Sequence, residues 1–110
     1  MNDVVLIGSE SLGTGDDKLG QLLMANFLRI TGDKPVLPKY VVLWNSAVKI
    51  ATPRSGAMVH LQNLADKGVT VISCGTCVEF FDLVSELKVG VVDGMSSILD
   101  ILQSHNVLTI

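Results

Sequence analysis

No stretch of this 110-residue sequence is basic, and its net charge is −3. A chain without a run of lysine or arginine has no electrostatic footprint for nucleic acid or for an anionic membrane surface. Apolar runs are short. None approaches the roughly 18–20 residues needed to span a bilayer. The start, Met1-Asn2-Asp3, passes straight into Val4-Val5-Leu6-Ile7 with no positive n-region, which argues against a signal peptide. The expectation is a soluble, cytoplasmic protein. Cysteine is scarce, at two residues, and so is histidine, at two. His60 and His105 have no ligand spacing between them, and one cysteine pair gives only two zinc ligands. No metal site and no cofactor is therefore expected. Repeats, linkers and low-complexity tracts are also missing, so residues 1–110 read as a single domain.

What the chain has in quantity is apolar surface. Hydrophobic residues make up 48% and charged residues 17%, a balance that calls for strands buried on both faces, a subunit interface, or both. A homo-oligomer is the expected form of the second.

Apolar strands alternate with amphipathic segments. Asp3–Ile7 is strand-like, and a glycine-rich loop runs from Gly8 to Asp16. A helix over Asp17–Ile30 follows, capped by Asp16 and stopped near Gly32, with Leu19, Leu22, Leu23, Phe27 and Leu28 on one face. Tyr40–Trp44 is a second strand, and Asn45–Ala51 a turn with a short extended piece. Thr52-Pro53 reads as a cap and first residue of a helix reaching Lys67, with Met58, Leu61, Leu64 and Ala65 inward. Val69–Ser73 is a third strand, Val78–Val84 a short helix, Lys88–Val92 a strand, Met95–Ser104 a helix and Val107–Ile110 a last strand. Unbroken apolar strands joined by helices predict a three-layer α/β/α sandwich with a mainly parallel five-stranded sheet.

Both cysteines lie in Ser73-Cys74-Gly75-Thr76-Cys77, where the third strand meets its helix. Ligands gather at the carboxyl ends of parallel strands, and a helix N-terminus favours a thiolate. Cys74 and Cys77 are the catalytic candidates; two buried packing thiols are the alternative. The glycine-rich loop matches neither dinucleotide nor phosphate-loop patterns, and Glu10, Asp16 and Asp17 would repel phosphate. Gly13, Thr14 and Gly15 are instead expected at the rim of the site, with Asn45, Gly75 and Thr76. Lys49 and Arg54 follow the second strand on the same edge and offer a cation for a thiolate. Trp44, Tyr40 and the two histidines read as packing residues.

Four stretches together resemble the DsrE-like family, and within it the C-terminal domain of YedF-type selenium-metabolism proteins. They are Gly15-Asp16 with Leu19-Gly20 and Leu23-Met24; Phe27-Leu28; Asn45 with Val48-Lys49; and Ser73-Cys74-Gly75-Thr76-Cys77. The tail Leu87-Lys88-Val89-Gly90, followed by Met95, is also similar. The TusA-like domain usual in YedF-type proteins is not found within these residues. The resemblance implies a sulfur relay: sulfane sulfur, or selenium, accepted and passed on as a cysteine persulfide. It implies that Cys74 matches the sulfur-carrying position and Cys77 is the additional thiol, that the chain assembles as a homo-oligomer, and that a TusA-like sulfur carrier protein is a candidate partner. On electrostatics alone Cys77, nearer the helix start, is the better thiolate, so the two roles stay interchangeable. The other reading is a non-catalytic oligomeric subunit or interaction module with structural cysteines. A thiol-disulfide oxidoreductase ranks below both, because the order of elements is not that of thioredoxin.

Overall fold

The structure, a computed structural model, describes residues 3–110. Met1 and Asn2, read above as the lead-in to the first strand, lie outside the described residues. Five strands form one sheet: β1 (Val4–Ile7), β2 (Tyr40–Leu43), β3 (Thr70–Cys74), β4 (Val91–Asp93) and β5 (Val107–Thr109). Their order is β4-β3-β2-β1-β5, and every pairing is parallel. The helices are α1 (Asp17–Asp33), α2 (Met58–Asp66), α3 (Gly75–Phe80) and α4 (Met95–Ser104), with a 3₁₀ helix over Asn45–Ala51.

Alternate residues of each strand point to opposite faces, and both faces are covered. Val5, Ile7, Val41, Leu43 and Val71 pack against Met24 and Leu28 of α1, Leu61 and Leu64 of α2 and Val78 of α3. Val4, Leu6, Val42, Ile72 and Cys74 pack on the other side against Ile98 of α4. This double burial explains why the strands read as unbroken apolar runs. The three-layer, parallel α/β reading holds.

Several boundaries move. Asp16 does cap α1, its Oδ1 accepting the Leu19 N–H at 2.8 Å. The buried residues of α1, however, are Gly20, Met24, Leu28 and Gly32, while Leu19, Leu22 and Leu23 are exposed. Two glycines in that row of four-residue steps let the helix approach closely. A Cβ on Gly20 would stand 2.7 Å from the Ser11 Cβ, and one on Gly32 would stand 3.0 Å from the Asn63 Nδ2. Close approach decides the face against the larger leucines. Gly32 is thus an interior packing residue and not the helix stop. The helix ends at Asp33 because Lys34, preceding Pro35, is held extended.

Thr52 does not start a helix. It is buried, its Oγ1 donates to the Lys49 carbonyl at 2.7 Å and accepts the Arg54 N–H, and it closes the 3₁₀ segment instead. β4 begins at Val91 rather than Lys88, because Gly90 adopts φ +78° with its Cα against the Val71 carbonyl, where no Cβ fits. The short helix expected over Val78–Val84 starts earlier, at Gly75, directly from the end of β3.

Candidate functional site

Three parallel strands deliver their following residues to one edge. β1 ends at Ile7 and passes to Gly8; β2 ends at Leu43 and passes to Trp44 and Asn45; β3 ends at Cys74 and turns into α3. The Cys-x-x-Cys segment spans that turn. Cys74 is the last strand residue, points to the α4 face beside Ile72, and is 1% exposed. Cys77 is the third residue of α3 and half-buried. Both are free thiols.

Asn45 meets Cys77 across the edge. Its backbone N–H donates to the Cys77 Sγ at 3.1 Å. Asn45 sits at φ +52°, in the left-handed region that asparagine tolerates better than most residues. That conformation breaks the extended chain after β2 and aims the N–H at the sulfur. Burial pushes the Cys77 thiol above its ordinary value; the Asn45 N–H draws it down, and the adjacent Cys74 thiol pushes it up again. The net result is a thiol that holds its proton at neutral pH, with one donor already in place for the anion.

Cys77 stands between two open cavities. One, of about 330 Å³, is lined by Gly8, Trp44, Asn45, Cys77 and Met95. The other, of about 210 Å³, is lined by Asn45, Thr76, Cys77, Phe80 and Phe81. No lining residue of either carries a charge. Asn45 lines both cavities beside Cys77, and Thr76 lines the second. Trp44, read as a packing residue, lines the first cavity, and Gly8, Met95, Phe80 and Phe81 join the site without having been expected there. The period-two strand reading could have flagged Gly8 and Trp44 as the residues just past β1 and β2. No local pattern marks the others.

Other expected neighbours stand apart. Gly13, Thr14 and Gly15 are exposed, and none lines a cavity at Cys77. The root of their loop reaches the site, through Gly8 and through Ser9 and Glu10, which hydrogen-bond with Ser46. Gly75 is a packing glycine. Its missing Cβ would lie 3.3 Å from Val92 Cγ1 of β4, so it lets α3 start close against the sheet, and it lines neither cavity. The expected cations are engaged by groups other than the thiols, Lys49 at the edge of the second cavity. Lys49 Nζ lies 3.9 Å from a Glu10 carboxylate oxygen and 4.6 Å over the Phe81 ring. Arg54 makes a two-pronged pair with Glu86. At the opposite end of the sheet, His105 accompanies the Ile101 carbonyl and lies edge-on to Tyr40. Among the described residues no cluster of three or more His, Cys, Asp or Glu could hold a metal ion, and no helix is long and apolar enough to cross a membrane.

A parallel five-stranded sheet in this order, layered by helices, is an α/β fold that solved structures share. The solved structures it is similar to include the YchN protein from E. coli, with a TM-score of 0.71 and 19% identity over 100% of both chains. A protein of unknown function from Methanobacterium thermoautotrophicum matches at TM-score 0.69 and 17% identity, over 97% of this chain and 96% of that one. Another of unknown function, from Bacteroides thetaiotaomicron, matches at 0.63 and 20%, over 98% and 95%. At these identities the likeness is one of fold. No protein-family model matches the sequence, and no curated protein matches it significantly.

Proposed function

We propose that the protein is a sulfur carrier that accepts sulfane sulfur, or selenium, as a persulfide on Cys77. The observation that carries this reading is the pairing of an accessible Cys77 thiol with the inward N–H of Asn45, at a strand-end edge with open space on both sides. The DsrE-like fold supports it as a frame compatible with sulfur relay. The family position points to Cys74 as carrier, but a thiol 1% exposed cannot meet a donor without opening the fold. Burial therefore favours Cys77 as the carrier, with Cys74 as the assisting thiol.

The chemistry is thiol exchange. The Cys77 thiolate attacks the outer sulfur of a donor persulfide, the donor S–S bond breaks, and the donor leaves as a thiolate. The new Cys77 persulfide is anionic near neutral pH, and the Asn45 N–H stabilises its inner sulfur. An acceptor thiolate attacking the outer sulfur restores Cys77. If no acceptor arrives, Cys74 can lose its proton and attack the inner sulfur, giving a Cys74–Cys77 disulfide and hydrosulfide. No cofactor enters any of these steps.

Exposure of Leu19, Leu22 and Leu23 along α1 favours a further element of the reading, assembly into a homo-oligomer through that helix. A TusA-like carrier remains the partner class the sequence points to. The test is intact-mass spectrometry after incubation with inorganic polysulfide and removal of excess. A species heavier by one sulfur atom, and reverting on treatment with a reductant, is expected. Absence of any such species leaves the chain as an interaction module with packing cysteines.

A further inference from the structure

The two cavities at Cys77 differ in what they offer a charged sulfur. The smaller is walled by Phe80 and Phe81, which bring no N–H or O–H donor, and by Thr76, an exposed residue whose hydroxyl water can serve. The larger is walled by Gly8, Trp44 and Met95. Trp44 is the one tryptophan of the chain. It is half-buried, packed at the edge of the cluster of Val42, Cys74 and Ile98. An indole N–H in such a position ordinarily finds an acceptor. Here it makes no hydrogen bond with any described residue. Gly8 leaves it uncovered: a Cβ there would stand 3.5 Å from the indole Nε1 and 3.9 Å from Cδ1. Gly8 and Trp44 line the same cavity as the thiol, so the bare N–H gives onto that cavity.

A persulfide on Cys77 has two sulfurs to satisfy. The inner one is the Sγ that already accepts the Asn45 N–H at 3.1 Å. The outer one stands about 2 Å further along the S–S bond and carries the charge. On the surrounding elements the charged or titratable side chains are Glu10 after β1, Lys49 on the 3₁₀ helix, Cys74 on β3, Glu79 on α3, Asp93 on β4 and Asp100 on α4. None of them lines the larger cavity. A neutral dipole must therefore meet the charge there. Trp44 directly precedes Asn45, so one bend of chain after β2 supplies a backbone N–H for the inner sulfur and a side-chain N–H for the outer.

We infer that the indole N–H of Trp44 receives the outer sulfur of the Cys77 persulfide, so that the carried atom lies in the cavity of Gly8 and Met95 and not against Phe80 and Phe81. The inference rests on the carrier reading for the persulfide and adds the side chain that holds it.

The test installs the persulfide chemically, without polysulfide. In Cys74→Ser, which removes the competing thiol, the Cys77 thiolate attacks dithiobis(nitrobenzoate) and one thionitrobenzoate leaves. Hydrosulfide then attacks the Cys77 Sγ, the mixed disulfide breaks, and the second thionitrobenzoate leaves with the electron pair. The product is heavier than the free thiol by one sulfur atom. A single tryptophan gives a single indole N–H signal in the proton NMR spectrum. That signal is expected to shift downfield on loading and to return on reduction. Trp44→Phe keeps a ring and deletes the donor. It should lower the acid constant of the persulfide about tenfold, read from the near-ultraviolet absorbance of the ionised form against pH. The acid constant of the unloaded thiol, whose donor is Asn45, should move less; a purely structural effect would move both alike. Gly8→Ala lays a methyl against Nε1 at an ordinary contact distance. It should reproduce part of the persulfide effect with the tryptophan in place.

An indole signal unmoved by loading, or a persulfide acid constant unchanged in both variants, overturns the inference. So does a larger effect in Thr76→Val than in Trp44→Phe, since that places the outer sulfur in the smaller cavity. If the indole shifts yet polysulfide fails to load Cys77, the carrier reading falls and the Trp44 donor stands. If polysulfide loads Cys77 and the indole stays where it was, the donor falls and the carrier reading stands.

Discussion

The end of β3 and the first turn of α3 adjoin each other and have opposite surroundings. Cys74 closes the strand, packed with Val42, Ile72 and Ile98 and almost wholly out of solvent. Cys77, three residues on, faces two cavities and accepts an N–H from another strand's exit. The turn from strand to helix leaves the second thiol at the edge of the cluster that buries the first, partly packed against it and partly open. One sequence motif therefore supplies a buried thiol and a half-exposed one, and the difference comes from which side of the strand-to-helix junction each occupies.

Thiol titration tests that comparison most coarsely. In the folded protein Cys77 is expected to react about a hundredfold or more faster than Cys74, because modifying a fully buried group requires local opening. Comparable rates would erase the distinction.

The pH dependence sharpens it. The Cys77 thiol lies above its ordinary value, so its modification rate should still climb about tenfold per pH unit beyond about pH 8.5, where an ordinary thiol levels off. The stability linkage has a definite sign. The folded state holds the Cys77 proton more tightly than the unfolded chain does. Its contribution is complete below the unfolded value and is lost as pH rises from there through the folded value. The denaturation midpoint should drop as pH rises past about 8.5, the ordinary thiol value, and drop less in Cys77→Ala.

Asn45 gives a smaller effect. Asn45→Gly keeps both the left-handed conformation and the N–H, and should leave reactivity and stability nearly unchanged. Asn45→Val meets a backbone penalty of about 1–2 kcal/mol at φ +52° and should also slow Cys77 by misaiming the donor. Identical behaviour of the two variants would remove the N–H from the account. The smallest effect is on packing: Cys74→Ala should cost about 1 kcal/mol of stability, and Cys77→Ala no more than about 0.5. Chemical denaturation of the two variants measures both.

The reach of the sequence differed from element to element for physical reasons. α4 was readable to the residue, since a single amphipathic stripe packed on one sheet face is a purely local signal. The buried side of α1 was not, because Gly20 and Gly32 win it through contacts with Ser11 and Asn63, which are distant in sequence. The 3₁₀ segment after β2 carries no apolar period that distinguishes it from a turn. At the site, strand ends and the cysteine pair were legible as topology. Phe80, Phe81 and Met95 were not, because nothing local says that an aromatic or a methionine faces a cavity. Gly13 and Gly15 adopt positive φ, at +80° and +145°, in an exposed part of the loop, away from the cavities at Cys77.

The most direct measurement is the position of the sulfur. Wild type, Cys74→Ser and Cys77→Ser are treated with polysulfide, capped with an alkylating reagent and digested, and the persulfide is located by tandem mass spectrometry. The account predicts the added sulfur on Cys77 in the wild type, its retention in Cys74→Ser and its loss in Cys77→Ser. An adduct that persists in Cys77→Ser and vanishes in Cys74→Ser would contradict it.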